Sequence, residues 1–303
     1  MSNLSAPHFH DEEAAYAYVE ARIWPEGPVC PHCGGVERIG KMGGKSTRVG
    51  AYKCYQCRKP FTVKIGTIFE DSKVPMRVWL QAMYLIAGSK KGISSNQLHR
   101  ILGVTLKTAW FMSHRIREAM QVDDSWPLGG LGMTVEADET FIGREPGQAV
   151  RGGFWHKMKV LALVERGGRS RAMVVDTVGV PELQPILLGN IHPLTKLHTD
   201  EAPVYKSIGR FFYRHNTVHH KSGEYGRGTV HTNTIEGYFS IFKRGMRGIY
   251  QHCAKQHLHR YVAEFNFRYS NRVALGINDT ERSDILLRGV VGKRLTYQTA
   301  RGA

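Results

Sequence analysis

From residue 130 onward, the order of apolar runs constrains the fold more than any other feature of the chain. Three short runs rich in β-branched residues, LGMTVEADETF, KVLALVERG and RAMVVDTVG, follow one another, and Arg166-Gly167-Gly168-Arg169 supplies a turn between the last two. The next segments predict helix, strand, helix, strand and helix: VPELQPILLGNI, KLHTDEA, PVYKSIGRFF, NTVHH and HTNTIEGYFSIFKRGMRG. This order predicts an α/β domain with a mixed five-stranded sheet and flanking helices.

Three acids occupy special places in that order. Asp138 is predicted to end the first strand, Asp200 the fourth, and Glu236 falls in the first turn of the last helix. If the two strands are neighbours, the three carboxylates converge, and cations are needed to offset their repulsion. Oxygen ligands suit Mg²⁺ or Mn²⁺. Two such ions can hold the attacking and leaving oxygens of a phosphoryl transfer, so we expect a two-metal site that acts on DNA phosphodiesters.

Neighbouring acids leave alternatives open. By strand alternation Glu136 shares the face of Asp138 and Glu139 points the other way, and either is an alternative ligand. Glu201 is the corresponding alternative to Asp200. Glu236 also fits a purely structural role, since Asn233 and Glu236 have the spacing of a capping box.

Cations follow the third acid. Lys243 comes seven residues after Glu236, about two helical turns, so both residues are predicted to face the same side of the helix. Arg244 and Arg247 extend this basic stretch, which we expect to contact the DNA backbone. His219-His220-Lys221 and His231 are either phosphate contacts or solvated loop residues.

The charge of the chain points to a polyanionic partner. With 42 Lys and Arg against 26 Asp and Glu, the net charge is +16, which favours nucleic acid; the alternative is a basic protein that binds none. The sequence has neither an apolar run of about eighteen residues nor a signal segment. We therefore expect no membrane contact and a cytoplasmic, nucleoid-associated protein.

Four of the five cysteines form two CxxC pairs. Cys30 and Cys33 are separated from Cys54 and Cys57 by twenty residues, a spacing typical of a zinc ribbon with four thiolate ligands. The alternative, a redox dithiol, would need a βαβ context. A ribbon this small buries little apolar surface, so structural Zn²⁺ is expected to stabilise its fold.

Residues 75–120 have helical periodicity. The stretch ISSNQLHRILGVTLKTAWFMSHRIREAM predicts a helix-turn-helix, with Ser94 or Ser95 capping the first helix and Thr105 the second. The second helix would present DNA-binding side chains, which are Lys107, Arg115 and Arg117. The alternative is an ordinary helical hairpin with a solvated basic face.

These segments predict five parts of the chain. They are an N-terminal helix in 1–28, a zinc ribbon in 29–72, a helix-turn-helix domain in 73–122, a catalytic domain in 130–275 and a C-terminal tail in 276–303. Proline and paired glycines in 121–130 place the boundary before the catalytic domain there. One more helix, ERSDILLRGV, is expected in the tail.

Several phrases together carry a family resemblance. EADETFIG, HTDEAPVY and HTNTIEGYFSIFKRGMRGIYQH, with thirty-five residues between Asp200 and Glu236, resemble the DDE-class bacterial insertion-sequence transposases that have an N-terminal zinc ribbon and an RNase H-like core. CPHCGG and YKCYQCRKPFTVKIGTIFEDSKVP are similar to their N-terminal region. The resemblance implies metal roles for Asp138, Asp200 and Glu236 and a DNA-end role for Lys243. Since some relatives have asparagine as the third ligand, Asn233 is a further candidate, although the spacing favours Glu236.

The resemblance also implies an activity and partners. It implies binding of double-stranded DNA at terminal inverted repeats and at a target, Mg²⁺-dependent cleavage to a 3′-hydroxyl, and strand transfer by a homodimer or larger synaptic complex. Two other functions fit parts of the same sequence. One is a catalytically silent DNA-binding regulator derived from a transposase, and the other is a structure-specific DNA nuclease.

Overall fold

The chain divides into two compact units in a computed structural model, which describes residues 2–121, 126–145, 147–150 and 152–296. The first unit combines Met1–Gln121 with Ile277–Ala303, and the second is Val122–Gly276. The division falls within the linker predicted for 121–130, of which residues 122–125 lie outside the described part. In the described residues, no helix has both the length and the apolar character that a membrane span requires.

Five helices form most of the first unit. They are α1 (Glu12–Ile23), α2 (Met76–Gly88), α3 (Ser95–Leu102), α4 (Leu106–Ala119) and, from the end of the chain, α9 (Asp279–Arg288). The start of α1 follows from its sequence, because the Asp11 side chain accepts a hydrogen bond of 2.7 Å from the Ala14 amide. Acidic residues fill its first turn, where they favour the helix dipole.

The cysteine-bearing segment forms a small antiparallel sheet. Its strands are β1 (Ile39–Lys41), β2 (Tyr52–Cys54) and β3 (Pro60–Phe61), in that spatial order. The core of this ribbon is limited to Cys30, Cys54 and Phe61, with Trp24 and Tyr52 packed against them. So little apolar surface does not hold a sheet together, which agrees with a metal as the main source of stability.

The C-terminal segment is part of the first core rather than a separate tail. The predicted helix is present as α9, and it packs against α2 and α1. Asp284 accepts hydrogen bonds from the Tyr18 hydroxyl and, at 2.7 Å, from Arg22 of α1. The sequence predicted the helix but not its partners, because Tyr18 and Arg22 lie 266 and 262 residues earlier in the chain than Asp284.

The second unit contains the predicted five-stranded sheet. Its strands are β4 (Thr134–Ile142), β5 (Met158–Glu165), β6 (Ser170–Val175), β7 (Lys196–Asp200) and β8 (Arg214–Val218), in the order β6-β5-β4-β7-β8. β4, β5 and β6 form an antiparallel meander, whereas β7 and β8 run parallel to β4. The prediction of a mixed five-stranded sheet with flanking helices is confirmed.

Helices cover both faces of this sheet. Helices α5 (Val180–Asn190) and α6 (Pro203–Gly209) pack on one face, and α7 (Asn233–Gly245) and α8 (Lys255–Ser270) pack on the other. Strand alternation sorts the side chains. On β4, Val135 and Ala137 belong to the α5/α6 core, while Ile142 belongs to the α7/α8 core. Even-numbered residues of β4 therefore face α7.

Helix α8 also protects an edge of the sheet. The Asn266 side chain pairs with the backbone of Ala172 on β6, accepting from its amide at 3.0 Å and donating to its carbonyl at 2.9 Å. The side chain thus takes the place of a further strand. This contact satisfies edge groups that would otherwise be open to pairing with another chain.

Two features of the second unit differ from the prediction. Strand β8 covers residues 214–218 instead of NTVHH at 216–220. A short hairpin of β9 (Gly226–Arg227) and β10 (Val230–His231) was not predicted at all. Its only sequence signal is the pair of glycines at its first strand and turn, where Gly228 has a φ of +60°.

Packing of α9 makes a testable prediction about stability. Leu286 is fully buried in the first unit, so Leu286→Ala should lower the free energy of unfolding by about 2–5 kcal/mol. Ile101→Ala is the matched control, because the Ile101 side chain is half exposed, and it should cost below about 1 kcal/mol. Urea unfolding of the full chain measures both. Equal effects of the two variants would show that α9 is not part of this core.

Candidate metal and nucleic-acid site

The four ribbon cysteines are placed to hold one metal ion. Their sulfur atoms all lie within 4.8 Å of one another, with 3.6 Å between Cys30 and Cys57 and 3.7 Å between Cys33 and Cys54. Hydrogen bonds from the backbone amides of Cys57 and Gln56 lower the pKa of the Cys54 thiol to about 7. An antiparallel ribbon lacks the βαβ context that a redox dithiol would need. The donor set fits Zn²⁺.

Asp138 and Asp200 lie on the same face of the sheet, the one that α7 covers. Glu136 on β4 pairs with His198 on β7, and the same register two residues further on sets Asp138 opposite Asp200. Asp200 ends β7 as predicted. The prediction that Asp138 ends its strand is wrong, because β4 continues to Ile142 by pairing with β5 beyond the point where its pairing with β7 stops.

The acid pair is under electrostatic strain. Burial, together with the nearby charges of Glu139 and Asp200, raises the pKa of Asp138 to about 8, and Lys243 partly opposes this shift. In the absence of a cation, the raised pKa favours a protonated Asp138 at neutral pH. A divalent cation bound between the two carboxylates would replace that proton, so the arrangement suits a metal ion.

Glu236 lies in the first turn of α7, where its carboxylate is engaged by residues outside the acid pair. It accepts a hydrogen bond of 3.1 Å from the Thr232 hydroxyl and lies 3.8 Å from Nε2 of His220, with half of the side chain exposed. Within the described ranges, the four cysteines are the only group of three or more metal-ligating side chains whose donor atoms all lie within 4.8 Å. Glu236 belongs to the helix that covers the face of the sheet bearing Asp138 and Asp200. Its side chain would have to turn from Thr232 and His220 to share an ion with them.

The capping-box interpretation of Glu236 is wrong. The N-cap residue of α7 is Thr232, its side chain makes no capping hydrogen bond, and Asn233 is the first helical residue. A carboxylate from another element accepts a hydrogen bond from a backbone amide in the first turn of α7.

That carboxylate belongs to Glu136. It is fully buried on β4, and it accepts hydrogen bonds of 2.9 Å from the Ile235 amide of α7 and 2.6 Å from Nε of Arg166. An anion at a helix N-terminus is favoured by the helix dipole. Glu136 was an alternative metal ligand from the sequence; its contacts instead tie α7 to the strand that carries Asp138.

Arg166 extends this tie across the sheet. Glu136, His198 and Asn216 form a row on β4, β7 and β8, directly before the row of Asp138 and Asp200. Arg166 lies 3.0 Å from Nδ1 of His198, and Nε2 of His198 lies 3.1 Å from the Asn216 amide. Burial and the neighbouring Arg166 lower the pKa of His198 to about 4, so its neutral ring accepts from the guanidinium.

The other two alternative acids are also engaged elsewhere. Glu139 faces α6, as strand alternation predicted, and accepts a 2.6 Å hydrogen bond from the Tyr205 hydroxyl. Glu201 accepts from the backbone amides of His220 at 2.9 Å and Lys221 at 3.2 Å. Both acids fix neighbouring elements around the site.

The cations of α7 lie at different positions. Lys243 acts electrostatically on Asp138, and its ammonium lies 5.8 Å from the centre of the Phe239 ring. Arg244 is exposed and donates to the Ser240 hydroxyl at 2.6 Å. Arg247 is exposed in the π-helical turn Met246–Tyr250. Of the three, Lys243 is the one whose charge reaches the acid pair.

In the first unit, α3 and α4 form the predicted pair of helices around a tight turn. The hydroxyls of Ser94 and Thr105 cap them, each accepting a 3.1 Å hydrogen bond from an amide three residues later. Gly103, with a φ of +64°, ends α3 in the left-handed conformation. Lys107 is exposed in the first turn of α4.

The prediction that Arg115 and Arg117 present DNA contacts is wrong. Arg115 is buried and donates to the carbonyls of Ile68 and Glu70 at 2.7 Å, and Arg117 is buried with a 3.0 Å bond to the Ser113 hydroxyl. These acceptors of Arg115 are backbone carbonyls 47 and 45 residues earlier in the chain, which a local sequence pattern cannot reveal. Near α3, Lys90, Lys91 and Arg100 are exposed cations that the sequence analysis did not single out.

Comparison with known proteins matches both units. Residues 10–60 match the family model of the transposase zinc-ribbon domain, and residues 127–270 match that of the ISXO2-like transposase domain. An uncharacterized protein in transposable element ISH50 of Halobacterium salinarum is 29% identical over 267 residues, covering 81% of this chain and 86% of that protein. The crystal structure of a pre-cleavage Mos1 transpososome matches over 69% of this chain and 74% of its own, with 13% identity and a TM-score of 0.28.

The cysteine site predicts a tightly bound ion. The purified chain should contain one zinc per molecule, and Cys54→Ser should lose it, because a tetrahedral site needs all four thiolates. Elemental analysis after dialysis measures the content. Cys253→Ser, at the cysteine outside the cluster, is the control and should keep the zinc; equal zinc in both variants would contradict the site.

The Glu136 contacts predict that loss of this carboxylate destabilises the second unit. Glu136→Ala should destabilise the second unit by about 3–5 kcal/mol, because it leaves the Arg166 guanidinium and the start of α7 without their anion. Glu136→Gln keeps a hydrogen-bond acceptor and should cost less. Chemical denaturation compares the two variants with the parent, and an Ala variant as stable as the parent would rule out this role.

Proposed function

The chain belongs to the insertion-sequence transposases that combine a transposase zinc-ribbon domain with an ISXO2-like transposase domain, and we propose that it cuts and joins DNA strands with divalent metal ions. One observation carries this proposal: Asp138 and Asp200 stand opposite each other on one face of the sheet, under the helix that bears Glu236 and Lys243.

In this proposal Asp138, Asp200 and Glu236 hold two Mg²⁺ or Mn²⁺ ions. When bound, these ions would activate water or a 3′-hydroxyl and offset the charge on the departing oxygen. Asp138 and Asp200 would hold the ions from the sheet, and Glu236 would join them once its side chain turns from Thr232 and His220. Asn233, at the first position of α7, remains a further candidate ligand.

The protein cations orient the nucleic acid. Lys243, close enough to act on Asp138, would hold the phosphate at the cleaved DNA end, and Arg244 and Arg247 would contact the backbone beyond it. The net charge of +16 suits a long polyanion, whose binding should weaken steeply with salt.

The first unit would recognise the element ends. The zinc ribbon and the α3–α4 pair, with Lys107 and Arg100 exposed around its turn, are proposed to bind terminal inverted repeats. Because both ends of an element must be brought together, a homodimer or larger synaptic complex is the expected assembly.

Two other functions are distinguished by chemistry. A catalytically silent DNA-binding regulator would have no use for the buried acid pair, whose burial raises the pKa of Asp138 at a cost in stability. A structure-specific nuclease would cut branched DNA and would not join a 3′-end to a target. Covalent linkage of donor to target DNA separates this nuclease from a transposase.

The proposal predicts the effect of a single isosteric change. Asp200→Asn should abolish Mg²⁺-dependent nicking of DNA that carries the element's own ends, because an amide oxygen binds the ion more weakly, while binding of the same DNA should be retained. Gel assays of nicking and strand transfer, with parallel binding measurements, test this.

Asp176→Asn is the matched control. Asp176 follows the edge strand β6, is mostly exposed, and is paired with Lys255 instead of the acid pair. The control variant should nick like the parent. Nicking by the Asp200→Asn variant at the parent rate would show that this carboxylate does not hold the metal.

A further inference from the structure

The segment between β8 and α7 exposes an aromatic ring beside the candidate site. Within residues 219–231, the Tyr225 side chain is 68% exposed, and Lys221 and Arg227 are exposed around it. The Tyr225 ring therefore offers an open aromatic face to a ligand.

This segment is anchored at both ends. The Glu201 carboxylate accepts from the amides of His220 and Lys221. At the other end, Arg166 donates to the carbonyls of Thr229 and His231, each at 2.7 Å. The backbone on either side of Tyr225 is thus held by the same charged groups that surround the acids.

The His220 side chain contacts both the Tyr225 ring and the Glu236 carboxylate. The centres of the Tyr225 and His220 rings are 5.5 Å apart and tilted by 48°, and Nε2 of His220 is 3.8 Å from the Glu236 carboxylate. A nucleotide in contact with Tyr225 would therefore lie next to the phosphate at the metal site.

The side chains of this segment suit one class of ligand, a nucleic-acid strand. A flat apolar ring binds the face of a nucleic-acid base, and Lys221 and Arg227, the latter held 3.2 Å from Glu224, provide positive charge for the adjoining phosphates. A base inside a duplex is covered on both faces by its neighbours, so an unpaired base offers the ring a free face that a base within the helix does not.

We propose that Tyr225 is a stacking platform for an unpaired base of the DNA strand bound at the acid site, and that segment 219–231 holds this strand. The inference rests on the proposed function, since it assumes that the strand at the site is DNA. It adds a contact to the sugar-base side of the strand, whereas Lys243 contacts the phosphate side.

Binding of two DNA ends tests the proposal without any need for catalysis. One end is a blunt duplex, and the other has the same sequence with two unpaired terminal nucleotides, both measured with Ca²⁺ in place of Mg²⁺. Tyr225→Ala should weaken binding of the unpaired end about five- to hundredfold and leave the blunt end nearly unchanged. Tyr225→Phe keeps the ring and should bind like the parent.

The matched control is Tyr213→Ala. Tyr213 is 62% exposed in the same unit, but it precedes β8, at the opposite end of that strand from the segment. This variant should bind both ends like the parent. Circular dichroism confirms that each variant is folded.

The outcomes separate this inference from the proposed function. If Tyr225→Ala binds the unpaired end as tightly as Tyr213→Ala does, or loses the blunt end equally, stacking is overturned while DNA binding stands. If the parent chain binds neither DNA, the proposed function fails as well.

Discussion

The ion pair between Glu136 and Arg166 is the contact on which the second unit depends. A carboxylate buried on a central strand is costly unless its oxygens are satisfied, and here one receives the guanidinium and the other the start of α7. Because β4 also carries Asp138 and α7 also carries Glu236, this pairing determines how the two acids stand relative to each other. A shift of the helix along the sheet would break the hydrogen bond between the Ile235 amide and the buried Glu136 carboxylate.

The acids themselves follow from the pleat of the sheet. Side chains two residues apart on a strand share a face. Along the strands, the next residues on the face of Glu136, His198 and Asn216 therefore include Asp138 and Asp200. The charge of Glu136 is paired with Arg166, whereas like charges meet at Asp138 and Asp200. Repulsion remains around Asp138, from Glu139 and Asp200, and a bound cation would reduce it.

Local patterns predicted much of this arrangement. Apolar runs and turn residues gave the sheet with its helices, and the parallel pairing of β4 and β7 placed Asp138 and Asp200 together. Two CxxC pairs predicted the cysteine cluster, because ligand spacing is a local property. Ser94 and Thr105 cap α3 and α4 for the same reason.

Contacts between residues far apart in the chain could not be predicted from local sequence patterns. Arg115 resembled a DNA contact because its acceptors, the carbonyls of Ile68 and Glu70 together with that of Leu295, cannot be inferred from neighbouring residues. Glu136 resembled a metal ligand until Arg166 and the Ile235 amide were seen to occupy it. The β9–β10 hairpin, too short for periodicity, left Tyr225 unnoticed.

The central claim is that Asp138, Asp200 and Glu236 share metal ions. Anomalous diffraction at the manganese edge, from crystals of the chain grown with Mn²⁺, tests it most directly. We expect density between Asp138 and Asp200, with Glu236 turned from His220 toward it. Density held by Glu139 or Glu201 instead, or none beside Asp138 at saturating Mn²⁺, would contradict the claim.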